Sequence, residues 1–289
     1  MSLPNIIVLA IVQGLTELLP VSSSAHVIVA EKLLGLDPSS PPMTLLLVML
    51  HTGTMFAVIV YFWRQWRSAY FQSVRAFRRF AGLVVLATVL TAVVGVAIIR
   101  IVERTAFHGV PLTEIERLFG HLEIIAPALA AAGVMILVAG LREKRELAPE
   151  PSEIVELDIK QAAVIGAVQG LCLPFRGFSR SGATISTAML LGVTKSRAEM
   201  FSFALAVVLT PPVVVREMMR LIHSGALAGT ADLASVLSMN LLGAVAAFVS
   251  GLVALRWLSQ WLERGRWYLF GIYCLVAAAG IAALHLAGY

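Results

Sequence analysis

Gln13–His26 reads QGLTELLPVSSSAH, and Gln169–Thr184 reads QGLCLPFRGFSRSGAT. Each stretch opens on Gln-Gly-Leu, passes through a proline and closes in a cluster of hydroxyl side chains. Each is flanked by apolar runs too short to cross a bilayer, which takes about 20 mostly apolar residues. These runs are Leu3–Val12 and Val27–Leu36 at the first break, Gln161–Leu173 and Ala183–Val193 at the second. Three longer stretches follow each pair: Met43–Trp63, Ala81–Ile99 and Ile124–Leu141, then Met200–Val215, Leu233–Leu255 and Trp267–Tyr289. Pro211-Pro212 breaks the pattern of the short fourth stretch. Its span is expected to be completed by flanks from Ala198 and to Met219, with Arg216 snorkelling.

The chain therefore reads as one membrane domain over 1–289, built as an internal repeat with halves 1–157 and 158–289. Three spans per half is an odd number, so the second half starts on the opposite side of the membrane. The expected fold is an all-α polytopic membrane protein with six transmembrane helices plus two re-entrant helix pairs in an inverted-topology repeat. Paired interrupted segments at matching positions point to the binding site.

Composition agrees. Of the 289 residues, 59% are hydrophobic and only 13% charged, against about 25% charged in average soluble domains; mean hydropathy is +0.88. This excludes a disordered chain and an ordinary soluble enzyme. The net charge of +5 is not a nucleic-acid footprint, and no nucleic-acid partner is expected. Basic residues in such a chain set orientation. With the N-terminus outside, fourteen of the 22 Lys and Arg fall on the inner side, six on the outer and two in the second break. The two breaks then approach each other from opposite faces. Exposed backbone at that depth requires protein cover or a wet cavity. The apolar start lacks a basic leader and is expected to stay in the mature protein. Cys172 and Cys274 lie in apolar stretches and read as buried thiols.

Glu17 is the sole acid in either break, and ionisable groups at membrane depth are functional candidates. Gln13 lies four residues before it on the same helical face. A carboxylate beside an amide carbonyl suits a hard cation held largely through phosphate and water, Mg2+ or Ca2+. Ser22, Ser23 and Ser24 lead to His26, which is three residues beyond Ser23. One serine caps the following helix, near Ala25, while another is free to react. The second break supplies the anion site. Arg176 and Arg180 bring planar forks for phosphate, and Gly177 and Gly182 permit close backbone approach. Ser179, Ser181 and Thr184 add hydroxyls at a helix N-terminus expected near Gly182–Ala183. The substrate this cavity fits has a polyanionic head and an apolar tail.

At these residues the chain resembles the undecaprenyl-diphosphate phosphatase family, the integral-membrane bacitracin-resistance phosphatases. QGLTELLPVSSSAH is similar to that family's first signature and GFSRSGATIS to its second. Ala198–Phe203 and the Tyr61-Phe62-Trp63-Arg64 span end add to the resemblance, which extends over the whole chain. It implies hydrolysis of undecaprenyl diphosphate, recycling the lipid carrier for peptidoglycan synthesis and cell-wall biogenesis. It also implies a divalent cation and a multi-pass protein of the bacterial plasma membrane whose site opens to the periplasmic side. Family roles carry onto Gln13 and Glu17 (metal and diphosphate), Ser23 and His26 (attack and proton transfer) and Arg180 (phosphate). Three positions depart from the pattern: Arg176 stands where proline is usual, His51 where glutamine is frequent, and Gln13 where glutamate is commoner. The attacking group stays open between Ser23, His26 and metal-bound water, with Ser23 favoured. A transporter of polyprenyl phosphate is the alternative reading, and a homodimer is left open.

Overall fold

The computed structural model describes residues 2–37, 40–105, 121–145, 157–223 and 233–287. Among these every regular element is an α-helix and no strand occurs. The helices are α1 (Leu3–Leu18), α2 (Ser23–Leu33), α3 (Pro41–Tyr70), α4 (Val74–Thr105), α5 (Leu122–Arg145), α6 (Ile159–Cys172), α7 (Arg180–Leu190), α8 (Lys195–His223), α9 (Leu233–Glu263) and α10 (Trp267–Leu286). Six of them, α3, α4, α5, α8, α9 and α10, are long and apolar enough to cross a bilayer, and the chain is a multi-pass membrane protein. α3, α4, α5, α8 and α9 run past the apolar stretches into turns that carry charged residues, such as Arg67, Arg104, Arg142, Arg216 and Glu263. Pro211 and Pro212 do not interrupt α8. In a membrane helix, neighbouring groups take up the backbone bonds that proline frees. Arg117, counted with the outer charges, and Tyr289, the expected end of the last span, lie outside the described residues.

The four short helices are set by local chemistry. Ser2 caps α1 by accepting from the Asn5 amide, and Pro4 fits the first turn. The chain turns extended at Leu19, just before Pro20, and the helix ends there. Ser22 then caps α2. Asp158 and Gln161 form a reciprocal capping box that starts α6. Ser179 caps α7 by accepting from the Gly182 amide at 3.2 Å. The later helix of each pair begins before its apolar run, α2 at Ser23 ahead of Val27 and α7 at Arg180 ahead of Ala183, since the capping serine, not the first apolar residue, decides where the helix starts.

Long helices pack through small residues, as they must where lipid provides no hydrophobic drive between them. The two Gln-Gly-Leu elements do the same thing twice. Gly14 lets α1 lie against α9, where a Cβ would collide with Ser250 and come 2.7 Å from the Ala247 carbonyl. Gly170 lets α6 lie against α4, where a Cβ would come 2.7 Å from Val94 and 2.8 Å from the Thr91 carbonyl. Outward faces are apolar stripes at helical spacing, Val85, Val89, Val93 and Val96 on α4, and Val245, Val249 and Val253 on α9. These stripes face lipid.

Candidate functional site

The two breaks meet. Ser24 Oγ accepts a hydrogen bond from the Gly177 amide at 3.0 Å, and Ser181 Oγ donates to the Leu19 carbonyl at 3.3 Å. Gly177 adopts φ +99°, and a Cβ there would lie 2.6 Å from the Ile125 carbonyl. Ser22 is the sole non-glycine residue with positive φ among the described residues. Such backbone persists only where its surroundings hold it, and it clusters at functional sites.

Glu17, at the end of α1, is the centre. Its Oε1 accepts from Arg180 at 2.8 Å, across the two breaks. Its Oε2 accepts from the Ser23 hydroxyl at 2.5 Å and from the Gln13 amide at 3.2 Å. His51 Nε2 stands 3.8 Å from the same oxygen. Glu17 lies outside the six spanning helices. Burial would raise its carboxyl, but the nearby His51 and Arg180, with hydrogen bonds from Ser23 and Gln13, outweigh it and hold the group below the usual carboxylate value.

The expected Ser23–His26 pair is not formed; the hydroxyl of Ser23 is turned to Glu17. Three residues of helical spacing put the two side chains on adjoining sides of α2, and the ring of His26 finds other partners. Its Nδ1 is 2.8 Å from the Ser22 carbonyl, and its Nε2 is 2.7 Å from the Tyr273 hydroxyl on α10. Burial holds His26 below its ordinary value, with the Ser22 carbonyl opposing, so the ring is neutral at neutral pH.

The other expected anion-binding groups separate into two kinds. Arg180 faces the cluster. Ser179 caps α7, Ser181 ties the breaks together, and the buried Thr184 hydroxyl donates to the Arg180 carbonyl at 2.8 Å and pairs with Ser202 at 2.6 Å. Arg176 is exposed and acts electrostatically on the buried Glu31 of α2. Glu31 Oε1 has no hydrogen-bond partner, and burial pushes this carboxyl up to about 7, against the pull of Arg176. In the second half the matching glutamine, Gln169, is structural; it is fully buried and donates to Thr91 Oγ1 at 2.9 Å. Cys172 and Cys274 are free and buried.

Sequence reasoning left His51 and Tyr273 out of the site. His51 carried a signal, an ionisable side chain in the middle of an apolar span. Tyr273 carried a weaker one, a phenol away from the span ends where tyrosine gathers.

The groups that could hold a cation are the Glu17 carboxylate, here engaged by Arg180, Ser23 and Gln13, with the Gln13 amide oxygen and His51 Nε2 beside it. Among the described residues no three His, Cys, Asp or Glu side chains converge as a metal site. One carboxylate with an amide and an imidazole beside it fits a divalent ion shared with phosphate oxygens and water, not a cage made by protein alone.

A family model described as "Bacitracin resistance protein BacA" matches residues 6–280. "Undecaprenyl-diphosphatase 2" of Acinetobacter baylyi is 53% identical over 287 residues, covering 98% of this chain and 98% of the relative. "Undecaprenyl-diphosphatase 1" of Burkholderia pseudomallei is 33% identical over 288 residues, covering 96% and 95%. "Undecaprenyl-diphosphatase" of Rhodopirellula baltica is 30% identical over 282 residues, covering 98% of both.

Proposed function

The chain belongs to the bacitracin resistance protein BacA family, and on that premise we propose that it hydrolyses undecaprenyl diphosphate to undecaprenyl phosphate and inorganic phosphate. The observation that carries the reading is the contiguous set Ser23–Glu17–Arg180: a hydroxyl on a carboxylate, and the carboxylate on a guanidinium. That is a nucleophile, a base and a phosphate ligand in one hydrogen-bonded line.

In this mechanism Ser23 Oγ attacks the terminal phosphorus and its proton passes to Glu17 Oε2. The bond from phosphorus to the bridging oxygen breaks, and undecaprenyl phosphate leaves. The proton on Glu17 leaves with undecaprenyl phosphate; water then cleaves the phosphoserine, giving its OH to phosphorus as inorganic phosphate and its other hydrogen back to the Ser23 hydroxyl. Arg180 couples binding to the chemistry. With no substrate it neutralises Glu17. Phosphoryl oxygens draw its planar fork away, which frees Glu17 Oε1 while Oε2 stays on the Ser23 hydroxyl. Gln13 and Glu17, with His51 beside them, would hold a divalent cation against the diphosphate. The ion would supply charge neutralisation of the transferring group.

Two further parts belong to this reading. The α1–α2 and α6–α7 pairs are re-entrant, and the halves 1–157 and 158–289 are an inverted repeat. The equivalent packing of α1 on α9 and α6 on α4, through equivalent glycines, supports this. The site opens to the outer face of the plasma membrane, as the bias of basic residues favours. The test of the activity is phosphate release from undecaprenyl diphosphate by purified protein in detergent, where no gradient exists. Turnover there supports a hydrolase. Binding without phosphate release would overturn it in favour of a carrier.

A further inference from the structure

We propose that Tyr273 is a positioning residue for His26. A carbonyl oxygen only accepts, so the 2.8 Å contact to Ser22 requires the proton of the neutral ring to sit on Nδ1. Nε2 then carries the lone pair, and the Tyr273 hydroxyl, 2.7 Å away, donates to it. The rings are also nearly parallel, 12° apart with centroids at 5.7 Å. Both ring nitrogens are thus engaged, one by the strained backbone at Ser22 and one by α10.

Tyr273 is well placed to hold. It is half exposed, on a helix whose neighbouring Ile272 and Val276 face outward. A phenol turned to lipid would be left without a partner, so the hydroxyl is driven inward onto the imidazole. The next residue, Cys274, donates its thiol to the Pro20 carbonyl at 3.4 Å, which fastens the same turn of α10 to the first break. Tyr273 touches His26 and not the Ser23–Glu17–Arg180 line. Its effect on the reaction passes through the ring of His26, whose single basic nitrogen it fixes in direction for the proton transfer that the family resemblance assigns to this histidine.

This rests on the hydrolase reading above. Tyr273→Phe keeps the ring and its stacking and removes the hydroxyl. In the detergent assay kcat is expected to fall roughly tenfold, the size of one lost hydrogen bond, with KM unchanged. Nitrogen NMR of histidine-labelled protein supplies a reading that a packing role would not move. The His26 signals are those absent in His26→Gln, and the Nε2 resonance is expected to shift in Tyr273→Phe while Nδ1 stays. Retention of wild-type kcat, or a lowered kcat with the His26 resonances unmoved, overturns the proposal. Absence of phosphate release by the wild type would instead sink the hydrolase reading, and the Nε2 resonance would still decide whether the tyrosine holds the ring.

Discussion

Glu17 has two oxygens and four neighbours, and this crowding decides what its variants do. Glu17→Gln keeps the size but replaces an acceptor pair by one acceptor and one donor. The Arg180 contact then loses its charge and Ser23 loses its base. Activity is expected to drop at least a hundredfold, the usual scale for a lost acid–base group, in phosphate-release assays on protein that still purifies as a folded monodisperse peak. Near-normal turnover would make Glu17 a structural acid. The three serines separate by the same geometry. Ser23→Ala is expected to fall far below Ser22→Ala, which removes a cap, and Ser24→Ala, which removes the Gly177 contact. Arg180→Lys keeps charge but loses the planar fork. A loss of most activity is expected, and a lysine variant with wild-type kcat/KM would exclude direct phosphate ligation by Arg180. Glu17, Ser23 and Arg180 were all legible in the sequence as chemistry-bearing residue types in two polar breaks. Their pairing was not. Helical spacing said that Ser23 and His26 are near each other, but the carboxylate six residues before Ser23 is brought back by the turn at Pro20, which periodicity does not describe.

The two breaks behave as one element, joined by Ser24–Gly177, Ser181–Leu19 and Arg180–Glu17. The ten helices among the described residues could be read from apolar run length and proline position, since a short run between polar breaks cannot span. What the sequence hid was the use of each polar group in the second break. Ser179, Ser181 and Thr184 looked like anion ligands, yet a short buried helix first needs its own caps and cross-links satisfied. Gly177 holds this element in a conformation that L side chains rarely adopt. Gly177→Ala adds a Cβ against the Ile125 carbonyl at positive φ and is expected to cost about 1–3 kcal/mol. It should appear as a lower midpoint in a detergent melt, and an unchanged midpoint would mean that the breaks relax freely. Glu31 gives the element a pH signature. Its folded value, about 7, lies above the ordinary 4.5. Below 4.5 the carboxyl is protonated folded or unfolded and costs nothing. As pH rises from there the unfolded chain ionises first, stability falls, and the full loss is reached above about 7. Glu31→Gln should therefore match the wild type in melts near pH 4 and exceed it at pH 8. Parallel curves across that window would place the carboxyl in a better-solvated setting.

Across the whole molecule, each half places its first short helix on the fourth helix of the other: α1 on α9, α6 on α4. Halves interlocked in this way bring Glu17 from one and Arg180 from the other to 2.8 Å, so the site exists only where both halves are present. Two Gln-Gly-Leu elements are the sequence signal for the proposed repeat. Their divergence is equally plain, Gln13 serving Glu17 while Gln169 serves Thr91. One half keeps the reacting groups and the other gives an arginine and scaffolding. An inverted repeat fixes which ends of these elements share a side. Lys32 closes the first short pair and Lys160 opens the second, and both are exposed. If three spans separate the pairs and neither pair crosses, the two lysines lie on opposite faces, with Lys32 outside. Arg104 then lies outside, and Arg67 and Arg264, also exposed, lie inside. The native cysteines are buried and give little background, so single cysteines at these five positions can be read with a membrane-impermeant maleimide. On intact spheroplasts, Lys32→Cys and Arg104→Cys are expected to label. Lys160→Cys, Arg67→Cys and Arg264→Cys should label only after permeabilisation. Labelling of Lys32→Cys and Lys160→Cys from the same side would overturn the inverted repeat. A full reversal of the pattern would keep the repeat and turn the molecule over, moving the mouth of the first break to the cytoplasm.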